Sequence, residues 1–548
     1  MIRPALVDLV KYVAMGEVMS RLYRMPLDPN YRAVIERYVN NRESNFLGIA
    51  KSVLANPRHP YSQLFEIAGC TFADLEAGVT RSGLEATLNA LLKEGVYLTL
   101  DEFRCNTEIV RSGRHIPATM KDWDTSAGGG AGEAHSSGSS GGKSQRTRYG
   151  LEYAKFGQVG GQLLIDEFGG PNGLAIIVFP ILPTSSGLGI CMGAARMGYQ
   201  VEGWFALGSS GRNLHNFHYK ALTAALVARL RLAGAKIPSP TYLEQGDFSP
   251  VAEFIARRKR DGVRSNVMGM VSSITRIAAA AIDLGVDIRG TYALVTGESL
   301  TDVKRDLIEA AGIEVFPTYA TSEFGGIGSP CRQMNTGNRA HVAMASIALV
   351  SRPIDDAWCD EPVESLHITS LLSFAPRTLI NVEIGDTGVI EPATCDCKYS
   401  RMGYKLQVRD MAAISKLRGQ GYSLRAPEIV KLLEEGLAQK FGGRPGDYQL
   451  AEVEGKAQTE MVLRIHPRAG VKSPEQVLQF FLAECRRTWG GWNTILHWTE
   501  SNGVRVQVVA PVLAASGKFR AIRLLGVNQG VQAIPESKPL AAAAGTGQ

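Results

Sequence analysis

Leu174-Ala175-Ile176-Ile177-Val178-Phe179-Pro180 is an unbroken apolar run ended by a proline. No polar position interrupts it, so both faces of the segment are expected to be buried, as in an inner strand of a parallel sheet. Outward from it, segments of two different periods alternate. Gly187 to Met197 has helical spacing, Val201-Glu202-Gly203-Trp204-Phe205 suits a strand, and Tyr219 to Leu232 is a strong helix. Asn266 to Val271 suits a strand ahead of a helix from Ser273 to Leu284, and Tyr292-Ala293-Leu294-Val295-Thr296 is a strand running into Gly297-Glu298, followed by a helix over 301–311. Such alternation predicts an α/β fold, with mainly parallel sheets flanked by helices and ligands collecting beyond the carboxyl ends of the strands.

The 548 residues are too many for one ordinary domain. Hydrophobic residues make up 45% and charged residues 20%, a globular composition, and the formal net charge is +6. No basic block of the kind nucleic-acid binders carry is present; Arg257-Arg258-Lys259-Arg260, the densest cluster, reads as the solvated end of a helix. No apolar stretch of about 18 residues suggests a membrane span. The start of the chain does not read as a leader, and the eight cysteines are scattered apart from Cys395-Asp396-Cys397, so a reducing, cytoplasmic setting is expected.

Residues 1–115 place apolar side chains at helical spacing, as in Tyr31 to Val39 and Leu84 to Leu92, and read as a helical N-terminal extension without chemistry of its own. A core follows over 116–409. A smaller α+β domain is expected over 410–530, with a helix near 428–440, alternation at Glu460 to Ile465, a helix over 474–487 and a strand from Val504 to Val509. The tail, 531–548, is rich in Ala, Gly and Pro and reads as disordered.

Two readings compete for Ser136-Ser137-Gly138-Ser139-Ser140-Gly141-Gly142-Lys143-Ser144. Glycines that turn backbone N–H groups inward, together with serine hydroxyls, make a phosphate cradle, whereas Gly/Ser runs also serve as linkers. A Walker loop is excluded, because Ser137 occupies the place of its first glycine and Gln145 to Tyr149 alternates like a strand where a helix should open.

Ser-Ser-Gly-Ser-Ser-Gly at 136–141 resembles the Ser-Gly-Thr-Thr-Gly loop of the adenylate-forming superfamily, and within it the phenylacetate-CoA ligase-like branch. Further similarities follow in the family's order. Tyr319-Ala320-Thr321-Ser322-Glu323 resembles Tyr-Gly-x-Thr-Glu, and Gly385-Asp386-Thr387-Gly388 resembles Gly-Asp-x-Gly. Arg409-Asp410 with Lys416-Leu417-Arg418-Gly419 is similar to the hinge and the motif opening the small domain, with about two extra residues between them. Pro427-Glu428-Ile429 matches Pro-x-Glu-Ile, and Ser516-Gly517-Lys518-Phe519-Arg520 resembles Ser-Gly-Lys-x-x-Arg with one residue fewer.

The resemblance implies a fold with a large N-terminal region and a small mobile C-terminal domain, and it implies residue roles. Lys518, Glu323 and Ser322 would act in catalysis. Ser137, Gly138, Ser139, Ser140, Gly141, Gly297, Glu298, Tyr319, Ser322, Asp386 and Arg409 would bind the nucleotide, Tyr319 by stacking on adenine and Asp386 through the ribose hydroxyls. Glu323 would help hold Mg²⁺. The implied reaction joins a small carboxylic acid to AMP with release of pyrophosphate and passes the acyl group to a thiol, foremost coenzyme A, as an acid–thiol ligase. Transfer to a carrier protein, a protein thiol or an amine is the alternative, and a non-catalytic nucleotide- or acyl-binding module is a third. A homodimer is left open.

Cys331, His341, Cys395 and Cys397 supply three thiols and an imidazole, a donor set for structural Zn²⁺ that some relatives in that branch carry in similar form; unrelated loop cysteines with a surface histidine are the alternative. Trp204, Phe205, His215, Phe217 and His218 are candidates to line the acyl pocket, although aromatics on such elements are more often core.

Overall fold

The computed structural model describes residues 2–125, 132–135, 146–182, 186–207, 214–243, 247–297, 300–321, 323–334, 338–354, 363–413, 416–419, 422–443, 446–454, 459–487, 495, 498–499, 503–512 and 521–525. The chain forms two compact units, Met1–Lys416 and Leu417–Gln548. That break lies seven residues beyond the boundary expected at 409/410, because the strand carrying Arg409 and Asp410 continues to Ala413 inside the larger unit.

In the first unit, six strands form a wholly parallel sheet: β1 (Leu174–Val178), β2 (Gln200–Leu207), β3 (Thr241–Leu243), β4 (Ser265–Met270), β5 (Thr291–Thr296) and β6 (Ile313–Pro317), in the order β6-β5-β4-β1-β2-β3. Every residue of β1 is buried, as its unbroken apolar run requires. The helices between the strands lay apolar faces on the sheet. Val251, Ala252, Ile255 and Ala256 do so from the helix Ser249–Arg260, and Ile274, Ile277, Ala278 and Ala281 from the helix Val271–Leu284. Gly285, left-handed at φ 63°, ends the latter helix and returns its N–H to the Ala281 carbonyl. The α/β class read from the sequence is the observed one.

A second sheet of the same unit is antiparallel and was not legible as a sheet. Its strands are β7 (Tyr319–Thr321), β8 (Gly325–Ser329), β9 (Ala340–Val342), β10 (Ile347–Ile354), β11 (Val363–Ser370), β12 (Val382–Pro392) and β13 (Leu406–Ala413), ordered β7-β8-β9-β13-β12-β11-β10. The two sheets are joined at the carboxyl edge of the parallel one: β6 ends at Pro317, Thr318 donates its N–H to the β5 carbonyl of Val295 at 2.7 Å, and β7 begins at Tyr319.

The N-terminal helices are not a separate body. Ile35, Phe46, Tyr61, Leu64, Phe65, Leu88, Leu91, Phe103 and Trp123 belong to one apolar core with Ile347, Leu349, Leu366, Ile368, Ile380 and Val382 of the antiparallel sheet region. Polar groups lock the junction. Arg42 donates from Nε and Nη2 to the Met344 and Ile347 carbonyls, the Tyr61 hydroxyl accepts the Ile380 N–H at 3.0 Å, and Asn381 Nδ2 reaches the Leu88 and Val96 carbonyls. Each of these backbone groups is buried, so each bond spares a desolvation cost of about 1–3 kcal/mol.

Strands Lys416–Gly419 and Tyr422–Arg425 pair where the second unit begins, and that unit continues through helices Ala426–Lys431 and Leu437–Phe441 and contains a four-stranded sheet. That sheet runs β14 (Tyr448–Glu454), β15 (Thr459–Ile465), β16 (Val504–Val508) and β17 (Ile522–Leu525) in the order β16-β15-β14-β17, with the helix Pro474–Arg487 carrying buried Val477, Leu478, Phe481 and Leu482. The expected helix over 428–440 is interrupted by a π-helical turn at Leu432–Gly436.

His367 on β11 is fully buried, with Tyr97 edge-on at 6.0 Å and the Ser365 carbonyl 3.0 Å from Nδ1. Burial drives its pKa down to about 4 from an ordinary value near 6.5, and the Arg352 charge adds to the effect against the pull of the Ser365 carbonyl. The folded state therefore binds this proton less readily than the unfolded chain. The neutral imidazole's contribution is complete above about pH 6.5 and is lost as pH falls toward 4, a loss of about 3 kcal/mol for a shift of this size. Urea unfolding of His367→Leu is expected to show a shallower fall in stability over that window than the wild type; parallel curves would refute a buried neutral histidine.

Candidate functional site

Ligands in doubly wound sheets bind beyond the carboxyl ends of the parallel strands, where β5 and β6 end at Thr296 and Pro317 and lead into Gly297 and Thr318. Gly297 has φ 84°, a conformation that favours glycine over any side chain-bearing residue. Beyond β6, the Tyr319 hydroxyl donates to Asp386 Oδ2 at 2.7 Å. Asp386 lies within β12 rather than in a hairpin turn; Gly385 at φ 76° and a register shift between Thr387 and Val389 bend the strand there. The carboxylate is 2% exposed. Tyr319 and Asp386, 67 residues apart in sequence, are thus brought together.

Glu323 follows β7 and is buried. Its two oxygens accept from Arg104, Oε1 from Nε at 3.1 Å and Oε2 from Nη2 at 2.7 Å, a side-on bidentate pair. It lines a cleft together with Thr147, Tyr149, Tyr153, Thr321 and Arg377. Thr147 and Tyr149 belong to the strand Arg146–Tyr149, which pairs antiparallel with Gly132–His135, His135 being in backbone register with Arg146. The strand after the Gly/Ser stretch therefore runs beside Glu323, and no helix opens there, in keeping with exclusion of a Walker loop. Arg377, 4% exposed, lies with its guanidinium 5.5 Å from the Phe103 ring centre; burial lowers its pKa, and Asp124 and Glu323 act against that.

Arg409 is engaged by Glu391 at 3.0 Å and by its neighbour Asp410, which is held at φ 54°. Ser137, Gly138, Ser139, Ser140, Gly141, Glu298, Ser322 and Lys518 lie outside the described residues. Among the aromatic candidates, Trp204 is core, donating Nε1–H to the Phe179 carbonyl at 2.9 Å, and Phe205 packs edge-on to Phe254. Phe217 is 71% exposed, His218 packs against Tyr219, and the His215 side chain lies outside the described residues. Sequence reading missed Arg104, Arg377 and Tyr153. The one local signal near Arg104 is the Thr99/Glu102 capping box that starts the short helix before it.

Cys331, His341, Cys395 and Cys397 converge, with all ligand atoms within 4.8 Å of one another. Cys395 Sγ lies 3.8 Å from Cys331 Sγ and 3.7 Å from Cys397 Sγ, and His341 Nε2 is 3.2 and 3.1 Å from the Cys395 and Cys397 sulfurs. A tetrahedron with metal–sulfur bonds of about 2.3 Å has edges of about 3.8 Å, so the sulfur spacing suits one ion among them. The sulfurs are too far apart for disulfides. Hydrogen bonding among the thiols, foremost between Cys331 and Cys397, pulls Cys397 well below the ordinary thiol range and pushes Cys331 up. Surrounding groups fix the frame. Glu167 accepts the N–H groups of Arg332 and Lys398, Gln333 bonds both to and from the Asp396 backbone, and the Tyr399 ring stacks on His341 at 5.3 Å. These four residues can hold a metal ion.

No protein-family model matches the chain, and no curated protein matches it in sequence. Solved structures do. A crystal structure of 2-hydroxyisobutyryl-CoA ligase, in complex with 2-HIB-AMP and CoA in its thioesterification state, is similar over 92% of this chain and 92% of that one, with TM-score 0.51 and 14% identity. The chain has the fold of that ligase. Weaker likenesses are to amide bond synthetase McbA from Marinactinospora thermotolerans (TM-score 0.38, 12% identity, 84% of this chain and 92% of that one). Another is a double mutant of o-succinylbenzoate CoA synthetase from Bacillus subtilis (TM-score 0.36, 12% identity, 85% and 81%).

For the cluster, elemental analysis of untagged protein is expected to find about one metal ion per chain, lost in Cys395→Ser/Cys397→Ser together with several degrees of thermal stability. Equal metal content in the two proteins would place any metal elsewhere.

Proposed function

We propose that the protein activates a small carboxylic acid with ATP, forming an acyl adenylate and pyrophosphate, and then passes the acyl group to the thiol of coenzyme A. The observation that carries this reading is the Tyr319–Asp386 hydrogen bond, made just beyond the carboxyl edge of the parallel sheet, with Glu323 four residues on from Tyr319 in sequence. Its support comes from the ordered motifs and from the shared fold of a ligase solved with an acyl-AMP and CoA.

In this proposal the Tyr319 ring stacks on adenine. The hydrogen bond to Asp386 anchors the hydroxyl end of that ring. Asp386 accepts hydrogen bonds from the ribose hydroxyls, and its burial makes those bonds strong and their loss costly. Gly297 and Glu298 border the nucleotide, and Arg409 lies nearer the hinge. Ser137, Gly138, Ser139, Ser140 and Gly141 cradle the departing phosphates, and Ser322 contacts the α-phosphate. Glu323 would help hold Mg²⁺, which would neutralise charge on the leaving pyrophosphate. The substrate carboxylate then attacks the α-phosphorus in line with that leaving group, and Lys518 offers a point charge between carboxylate and phosphate oxygens. In the second half-reaction the thiol attacks the acyl carbonyl and AMP leaves. The ion proposed for the Cys331/His341/Cys395/Cys397 cluster is zinc, in keeping with a thiolate-rich closed set, and its task is structural.

Carboxylate-dependent ATP–pyrophosphate exchange across aryl, fatty and amino acids tests the reading. Exchange is expected with at least one class, and folded protein that exchanges with none would overturn it. An acceptor screen, with hydroxylamine as control, then separates coenzyme A from amines and carrier proteins. Lys518→Ala is expected to abolish exchange while sparing thioester formation from a supplied acyl adenylate. Asp386→Asn should raise the KM for ATP by about ten-fold or more, the cost of one charged hydrogen bond.

A further inference from the structure

Glu323 is held by a residue from the other end of the larger unit. Arg104 and Glu323 are separated by 219 positions, and their side chains are 6% and 7% exposed. The contact is a double one. Phe103 packs on Phe324 with ring centres 5.4 Å apart while the adjacent Arg104 forks onto the adjacent Glu323, so residues 103–104 and 323–324 dock as a unit.

Arg104 is itself rigidly placed. It caps the four-residue helix Leu100–Phe103, donating its N–H to the Leu100 carbonyl, and the helix starts at the Thr99/Glu102 capping box. Glu102 is in turn forked by Arg111 at 2.7 and 2.9 Å, and the Arg111 guanidinium lies 4.4 Å from the Tyr97 ring centre. Trp123 packs on Phe103 and donates Nε1–H to its carbonyl at 2.9 Å. Each group that could let the guanidinium drift is tied to another.

Burying an ion pair gains little stability over well-packed apolar side chains, because desolvation offsets most of the attraction. Its distinct effect is geometric. A side-on guanidinium fixes the plane of the carboxylate and occupies one acceptor site on each oxygen, which leaves about two acceptor sites directed elsewhere. Glu323 also lines the cleft with Thr147, Thr321 and Arg377. We infer that Arg104 is a positioning residue for Glu323, orienting its carboxylate to meet the divalent cation that accompanies the nucleotide phosphates. The inference rests on the role given to Glu323 above, and it assigns the N-terminal helical region a part in the chemistry.

The test measures ATP binding by calorimetry with Mg²⁺ and with excess EDTA, in the full chain and in Arg104→Met, Arg104→Lys and Glu323→Gln. The wild type is expected to bind ATP more tightly with Mg²⁺. Arg104→Met and Glu323→Gln should each cut that gain by about ten-fold, the usual size of effect when a metal ligand or its supporting partner is removed. Arg104→Lys keeps the charge but loses the fork and should fall between. A merely structural Arg104 would lower thermal stability and both affinities together, leaving their ratio unchanged. An unchanged Mg²⁺ gain in folded Arg104→Met, beside a reduced one in Glu323→Gln, overturns the inference alone. Should Arg104→Met not fold, a wild-type gain in Arg104→Lys does the same. A wild type that binds no ATP, or a Glu323→Gln variant with undiminished gain, overturns the role of Glu323 and the inference with it.

Discussion

A carboxylate buried among aromatic rings requires a counter-charge, and for Glu323 that charge arrives from residue 104. This one requirement links the parts of the larger unit. The helices before Arg104 share a core with the antiparallel sheet, the sheet carries Asp386 and the Glu323 loop, and the loop begins where the parallel sheet ends. Taking the guanidinium away would leave a buried charge uncompensated, which costs far more than the pair contributes when intact.

The Cys/His cluster draws on strands of the same sheet. Cys331 follows β8, His341 lies in β9, and Cys395 and Cys397 fall between β12 and β13, while β13 pairs with both β9 and β12. An ion held by all four would therefore fasten the strand that bears Asp386 to the segment that follows Glu323. Glu167, accepting N–H groups from Arg332 and Lys398, bridges the two cysteine-bearing segments without any ion. Two independent devices, an ion pair and a side-chain cluster, thus act on the distance between the groups proposed to hold ribose and cation.

Individual elements were legible wherever one local pattern decided them. The run at 174–179 suited a buried strand, and the strand is found at Leu174–Val178; the helix Val271–Leu284 likewise ends at the glycine that follows it. Asp386 shows where such reading stops. Gly-Asp-x-Gly is turn chemistry in isolation, yet here it is a bent stretch inside an eleven-residue strand, because pairing with β11 and β13 outweighs the local preference. Trp204 and Phe205 were candidates for a pocket, and packing puts them in the core.

Period, punctuation and charge pattern lie in consecutive residues, and so the order of the residues was sufficient for the α/β class, the parallel sheet and the set of chemically able side chains. Which of those side chains meet depends on contacts that span the chain. Tyr319 and Asp386 are joined across 67 positions, Cys395 and His341 across 54, and Glu323 and Arg104 across 219. Nothing near Arg104 in sequence distinguishes it from a solvated arginine at a helix end. Its role arises only when a hydrophobic core folds that end against the loop of Glu323 and removes the water that would otherwise have screened both charges.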